Sequence, residues 1–421
     1  MVVLYHKFKA FNIYCMRYNI FLWALYDFAN SFAYIAFFLY FSQWIVIDRS
    51  VSDVWFNLCL AGASLILLLT APFIGAMLDL KWRNITGLRF STLAVFIFYS
   101  LAILFMFANE KTLSLMSFII GQYFFVLSFI FYTPLLSIIA PKEKRGKVSG
   151  YGMAGNFLGN ISALFLALPF ATGKISLFNM EPHAETLFPL LVAFFVFALP
   201  MILFFREPNR QVKKIPVQNL DLLFKQMKFL FSNKNVLLFF LSFILLNGAI
   251  LTFSNNFPIV LSNLWQAPDT VKTFILLAIV IVSVLGSIVS GYLVDFWGGK
   301  KVLIHITIGW IIIMPILALM FSFSYFVATI IIAGFLLGAN MTSSRVLMSN
   351  LVDFRQHNLA FAFFTIAERT SVIVAPILWG LIATDLTVLG PWRYRLAILS
   401  MVLLIALSLP FLLKVKDAYK S

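Results

Sequence analysis

The sequence has little charge for its length. Of its 421 residues, 11% are charged and 62% are apolar. A soluble globular domain has about 25% charged and about 45–50% apolar residues. An apolar surface of this extent would aggregate in water, so lipid is the natural solvent for most of the chain. These proportions exclude a soluble enzyme, a disordered chain and a secreted scaffold held together by disulfides.

Cysteine and histidine are also scarce. The two cysteines, Cys15 and Cys59, are too few for a disulfide framework, and the four scattered histidines do not suggest a zinc site. The sequence has no G-x-S-x-G, G-x-x-x-x-G-K-[ST] or H-E-x-x-H motif. These motifs are typical of hydrolases, nucleotide-driven proteins and zinc peptidases. We therefore expect no enzyme activity, no metal and no cofactor.

Long apolar runs are abundant instead, each bounded by charges, proline or glycine. An apolar helix needs roughly 20 residues to cross the hydrocarbon core of a membrane. The runs predict an all-α integral membrane protein with about twelve transmembrane helices. The approximate spans are 20–46, 54–78, 86–108, 113–139, 148–171, 186–205, 236–263, 270–294, 302–323, 325–349, 357–384 and 395–414.

The basic residues orient these spans. Segments on the side of the N-terminus contain 23 of the 31 lysines and arginines, the opposite loops contain 6, and 2 lie within spans. Because loops rich in lysine and arginine stay in the cytoplasm, both termini are predicted to be cytoplasmic. The net charge of +15 is therefore a property of membrane topology, and we expect no nucleic-acid partner.

The longest loop divides the chain into two sets of six spans. The sequence predicts an N-terminal half over 1–205, a cytoplasmic linker over 206–234 and a C-terminal half over 235–421. From Asn219 to Asn233 the linker has apolar residues at helical spacing, which predicts an amphipathic helix on the membrane surface. Repeated six-helix halves that bind a solute between them are a transporter architecture.

Both halves carry the spacing G-x-x-x-D with basic residues beyond it, at Gly75–Asp79 and at Gly291–Asp295. This pattern resembles the loop motif of the major facilitator superfamily. An aspartate at a helix end can pair with basic residues of neighbouring loops and so form a gate. Arg145 is the candidate partner of Asp79, and Arg355 is that of Asp295. The predicted gate residues are Asp79, Arg83, Arg145, Asp295, Lys300 and Arg355.

Three further stretches are more specific. The first span reads W-A-L-Y-D-F-A-N-S from Trp23 to Ser31, the junction of spans four and five reads P-K-E-K-R-G-K-V-S-G-Y-G from Pro141, and span ten contains Ser344-Arg345. Together they resemble the vacuole-effluxer family, which includes the autophagy-linked amino-acid exporter of fungal vacuoles. The resemblance implies secondary transport of small solutes, with amino-acid efflux as the described activity. The sequence departs from that family at Asn247, where an acidic residue is expected before Gly248.

Polar residues inside the spans are the candidate solute-binding groups, because polar side chains are costly in hydrocarbon. Asp27 can bind a proton or an amine, or can form a structural ion pair with Arg345. Arg369 can hold a carboxylate through two hydrogen bonds, or can be neutralised locally by Glu368. Asn30 and Asn247 are 217 residues apart, which suggests equivalent positions in the two halves.

Other polar residues of the spans are weaker candidates: Asn156, Asn160, Arg345 and Glu368. Asn156 and Asn160 lie on one face of span five beside glycines, so helix packing explains them better than solute contact. Arg345 lies near the inner end of span ten, where its side chain can reach the membrane surface.

These patterns predict a secondary transporter of small polar solutes, with amino acids as the first candidate and the proton as the first candidate coupling ion. The alternatives are uptake of a sugar, nucleoside or siderophore, and a sensor or scaffold whose output is the 206–234 linker. We expect contacts with membrane lipids, a monomer, and residence in a bacterial inner membrane.

Overall fold

The computed structural model describes residues 2–51, 53–80, 83–207, 228, 230, 232–353 and 356–416. The predicted amphipathic helix lies almost wholly outside these residues, as does Arg355. Side chains are described from residue 17 onward, but those of Asp79 and Arg369 are outside the described set.

Twelve long helices follow one another along the described chain. They are α1 (Val2–Tyr34), α2 (Asp53–Leu80), α3 (Asn84–Phe107), α4 (Lys111–Tyr132), α5 (Arg145–Ala171), α6 (Leu187–Phe204), α7 (Lys234–Trp265), α8 (Asp269–Trp297), α9 (Gly299–Leu319), α10 (Phe323–Leu351), α11 (His357–Asp385) and α12 (Trp392–Lys414). Every predicted span coincides with one of these helices, so the prediction of a twelve-helix chain is confirmed. The described residues contain no strand.

The first helix differs most from its predicted span. It begins at Val2, well before residue 20, and continues past Tyr34 as two π-helical segments, Ile35–Phe41 and Trp44–Asp48. Wider π-helical turns leave the backbone hydrogen bonds made, which a chain surrounded by lipid requires.

Ten helical segments of the described chain are long and apolar enough to cross a membrane. Helices α2 and α11, with 28 and 29 residues, also exceed the length that a crossing requires. Large apolar side chains are exposed on the helix surfaces, such as Phe274 of α8, which is 71% exposed. The protein is therefore a multi-pass membrane protein whose outer surface suits lipid.

The first compact unit contains residues 1–141 and 155–219. Its interior is rich in stacked rings, with Phe37 and Tyr99 centred 3.6 Å apart and Phe41 and Phe118 centred 4.4 Å apart. Aromatic pairs of this kind add to the free energy gained by burying their area. They fix α1 and its π-helical extension against α3 and α4.

The second compact unit contains residues 142–154 and 220–421. Helices α8 and α10 cross closely here, because an added Cβ on Gly338 would lie only 2.0 Å from the carbonyl oxygen of Ser283. Ser283 donates from its hydroxyl to the Gly334 carbonyl oxygen over 2.8 Å. Small residues and hydrogen bonds of this kind are typical of helix packing in membranes.

Candidate functional site

The W-A-L-Y-D motif of α1 contacts helices α3 and α4. Trp23 stacks on Tyr132 with ring centres 4.8 Å apart. Each of these two residues donates a hydrogen bond to the carbonyl oxygen of the other, over 3.2 and 2.8 Å. The Tyr26 hydroxyl lies 2.7 Å from that of Thr92. These contacts position the next residues of α1, which are the polar ones.

Two candidate residues of α1, Asp27 and Asn30, are buried. Asp27 has no exposed surface and Asn30 is 1% exposed. The amide nitrogen and oxygen of Asn30 have no hydrogen-bond partner among the described residues. A buried amide with unmade hydrogen bonds costs about 1–3 kcal/mol, so it is a group available to a ligand.

Helix α5 packs against the same stretch of α1. Asn156 donates to the main-chain oxygen of Asp27 over 3.4 Å, and Ser31 donates to the main-chain oxygen of Asn156 over 2.7 Å. Asn160 donates to the side-chain oxygen of Asn156 over 3.4 Å. The two asparagines thus lie at a helix–helix contact beside Asp27. The contact is close because an added Cβ on Gly159 would meet the Phe28 carbonyl oxygen at 2.3 Å.

In the second unit Asn247 of α7 bonds to α11. Its amide donates to the Ser371 hydroxyl over 3.1 Å, and that hydroxyl donates to the Glu368 carbonyl oxygen over 2.6 Å. Asn247 is 1% exposed, whereas Glu368 is half-buried. Helix α11 comes close to α7 because the neighbouring residue is Gly248, whose added Cβ would meet the Ser371 carbonyl oxygen at 2.4 Å.

The conserved-looking end of α8 is a different kind of site: an aspartate bonded to the N-terminus of a helix. The Asp295 carboxylate accepts hydrogen bonds from the main-chain N–H groups of Gly146 and Lys147, over 2.6 and 3.0 Å. These are among the first N–H groups of α5, which have no partner within their own helix. The helix dipole favours a negative charge at that end.

The same two helix ends touch through glycines. An added Cβ on Gly150 would lie 2.5 Å from the Ser287 carbonyl oxygen, and one on Gly291 would lie 2.5 Å from the Gly146 carbonyl oxygen. Beside them the Tyr151 and Tyr292 hydroxyls are 3.0 Å apart. We call this set of contacts between residues 146–151 and 287–295 the α5–α8 contact. It consists of hydrogen bonds and main-chain contacts, with few interlocking side chains.

Arg145 precedes the α5–α8 contact and bonds to α10. Its guanidinium donates to the Ser349 carbonyl oxygen over 3.1 Å and to the Asn350 side-chain oxygen over 3.2 Å. Arg145 and Arg345 are 9% and 7% exposed. The sequence analysis missed Asn350 as a partner and missed the main-chain N–H partners of Asp295. The glycine spacing around Gly146, Gly150 and Gly291 is the signal that pointed to a close helix crossing.

The other predicted gate residues lie elsewhere. Lys300 donates from its ammonium to the Leu413 carbonyl oxygen over 2.8 Å, at the end of α12. Arg83 is exposed and donates to the Glu207 carbonyl oxygen. The side chains of Asp79 and Arg369, and the whole of Arg355, lie outside the described residues. Within the described chain the structure brings Asp27 together with Asn156, and Asp295 together with the start of α5.

The sequence comparisons cover part of the chain. Residues 251–421 match the family profile described as Major Facilitator Superfamily. No curated protein sequence matches the chain.

Solved structures are similar over nearly the whole chain. The fucose:proton symporter FucP of E. coli, in an outward conformation, has a TM-score of 0.75 at 14% identity, with 96% of this chain and 98% of that chain covered. A bacterial homologue of the iron transporter ferroportin, in an outward-facing state, has a TM-score of 0.73 at 13% identity, with 95% and 98% covered. The human organic anion transporter MFSD10 has a TM-score of 0.72 at 12% identity, with 94% and 99% covered.

The chain has the major facilitator fold. The similarity extends over both sets of six helices, so the predicted fold class is confirmed. In this major facilitator fold the polar residues of α1, the Asn247–Ser371 bond and the α5–α8 contact are the features that can carry function.

Proposed function

We propose that this protein is a secondary transporter of small polar solutes, with amino acids as the first candidate substrate. The observation that carries the proposal is the polar centre of α1, where Asp27 is fully buried and both amide atoms of Asn30 lack a partner among the described residues. Such groups are expensive in a membrane-spanning helix and typically mark a solute or ion pathway. The major facilitator fold supplies the framework for alternating access.

The roles follow from the chemistry of each group. Asp27 binds a proton or the solute ammonium, Asn30 and Asn247 bind the polar body of the solute, and Arg369 holds its carboxylate. The carboxylate role and the choice of amino acids rest on the resemblance to the vacuole-effluxer family. Membership of the superfamily and residence in a bacterial inner membrane belong to the same proposal.

The α5–α8 contact is the proposed moving part. Helix α5 belongs to the first six spans and α8 to the last six, and their ends are joined by two hydrogen bonds to Asp295 and by glycine contacts. A contact without interlocking side chains can separate and re-form without repacking a core. We assign it as the latch that opens when the protein exposes its site to the other side.

A neutral sugar is the second candidate substrate. The described candidate residues Asn30 and Asn247 are uncharged amides, which can donate to and accept from hydroxyl groups. The fucose:proton and xylose:proton symporters share the fold. Under this alternative, Asp27 carries only the coupling proton.

Counterflow in proteoliposomes tests the proposal. Labelled amino acids and sugars are offered separately to vesicles loaded with the same unlabelled solute. We expect exchange of a few members of one class, and loss of exchange in Asn30→Leu, which keeps the side-chain volume but removes both hydrogen-bonding atoms. The matched control is Ser408→Ala, because that hydroxyl bonds only to its own helix at Ile405. Full exchange by Asn30→Leu would refute the assigned site.

A further inference from the structure

The second compact unit contains a cavity of about 190 Å³ between helices α7, α8, α9 and α10. Its lining is almost entirely apolar and includes Phe253, Phe257, Trp310, Ile330, Ala333 and Leu337. A cavity of about 150 Å³ lined by such residues stays free of water and holds a benzene molecule. This cavity is therefore large enough for one six-membered ring with a small substituent.

One wall of the cavity has an unused hydrogen-bond donor. Trp310 of α9 is 2% exposed, and its indole N–H has no partner among the described residues. A buried donor left without an acceptor costs about 1–3 kcal/mol, and tryptophan usually finds a partner when buried. An oxygen atom of a ligand in the cavity would remove this cost.

Helix α10 continues the cavity wall into a polar end. Ile330, Ala333 and Leu337 line the cavity. Residues spaced by three or four positions share one face of a helix, so Asn340 and Ser344 follow on the same face. Asn340 is 1% exposed and Ser344 has no exposed surface. Both amide atoms of Asn340 and the Ser344 hydroxyl lack partners among the described residues.

These unmade bonds are unusual within this unit. A buried serine or threonine in a helix normally donates to a carbonyl one turn back. Thr307 does so to Leu303 over 2.8 Å, and Ser408 does so to Ile405 over 2.6 Å. Ser344 makes no such bond. The polar end of the α10 face is thus free to bind a hydroxyl group.

We propose that this cavity binds a small uncharged amphiphile: a single aromatic or alicyclic ring that carries a hydroxyl group. The ring lies against Ile330, Ala333 and Leu337, and the hydroxyl bonds at the Asn340 end or to the Trp310 N–H. A charged ligand is excluded because no residue that lines the cavity is charged. The site is distinct from Asn247, whose amide bonds to α11.

Fluorine NMR with a matched pair of probes tests this site directly. Para-fluorobenzyl alcohol and para-fluorotoluene have nearly the same ring and differ in the hydroxyl group. We expect both to bind the purified protein in detergent, with the alcohol preferred about fivefold to tenfold, the value of one hydrogen bond. Equal affinity of the two probes for the unmodified protein would overturn the proposed ligand class.

Variants separate the cavity from nonspecific uptake into detergent. Ala333→Phe places a ring in the cavity and should abolish the bound signal of both probes. Asn340→Leu and Trp310→Phe should each reduce the preference for the alcohol, while Ser408→Ala should change nothing. Bound signals that persist in Ala333→Phe would overturn the proposal. The measurement needs no transport activity, so its failure would leave the proposed function untouched.

Discussion

Removing the charge of Asp295 is the sharpest perturbation of the α5–α8 contact. The carboxylate accepts two main-chain hydrogen bonds, over 2.6 and 3.0 Å, whereas the amide of Asp295→Asn has one accepting oxygen. A hydrogen bond to a charged group is worth about 1.5–3 kcal/mol, and a charge at a helix N-terminus adds about 0.3–1 kcal/mol. Because Asp295 is only half-buried, water screens part of this. We expect a loss of about 1–2 kcal/mol, which is about a 5–30-fold shift toward the separated state.

Cross-linking measures that shift. Tyr151 and Tyr292 flank the contact, are 40% and 46% exposed, and have hydroxyls 3.0 Å apart. With Cys15 and Cys59 replaced by alanine, cysteines at the two tyrosine positions should be joined rapidly by a short bifunctional maleimide. Asp295→Asn should slow the joining and speed single labelling. Glu143→Gln, which neutralises a nearby exposed carboxylate, is the control. Equal rates in both variants would refute the assigned role of Asp295.

Three further predictions concern packing and coupling. Gly338→Ala should lower the thermal midpoint in detergent by an amount equivalent to about 1–3 kcal/mol, because its Cβ would meet the Ser283 carbonyl oxygen, whereas Gly62→Ala, with nothing within 4 Å, should be neutral or stabilising; equal effects would contradict the close α8–α10 crossing. Arg395→Lys should cost about 1–3 kcal/mol by the same measurement, since Arg395 donates to two carbonyl oxygens over 2.6 and 2.7 Å, and an unchanged midpoint would contradict this. Under the proposed function, Asn247→Asp should make counterflow respond to an imposed proton gradient, because the new carboxylate can titrate, while Asn247→Leu should not respond; a response in neither variant would argue against a coupling role at this position.

The helices could be predicted from sequence because apolar runs report membrane crossing directly. Helix α7 covers the predicted span 236–263 as Lys234–Trp265, and α11 covers 357–384 as His357–Asp385. The start of α1 could not be predicted this way, because its first residues include charges and lie outside the apolar run. Hydropathy marks the part of a helix inside lipid and says nothing about where the helix begins beyond it.

The candidate site was only partly predictable for a physical reason. Sequence reasoning looked for a charged partner of Asp295 and proposed Arg355. The structure shows main-chain N–H groups of Gly146 and Lys147 as partners, and a helix N-terminus leaves no charged residue to find. Buried polar residues such as Asn30 were recognisable from their rarity in apolar runs. Whether such a residue already has a partner, as Asn247 does, depends on packing.

Transport before and after locking the α5–α8 contact tests the central claim most directly. Cysteines replace Tyr151 and Tyr292 in the protein without Cys15 and Cys59, and a reducible bifunctional reagent joins them in proteoliposomes. The account predicts that counterflow of the identified amino acid or sugar stops when the contact is locked and returns when the link is reduced. Undiminished counterflow through the locked protein, or no exchange of any amino acid or sugar by folded protein, would contradict it.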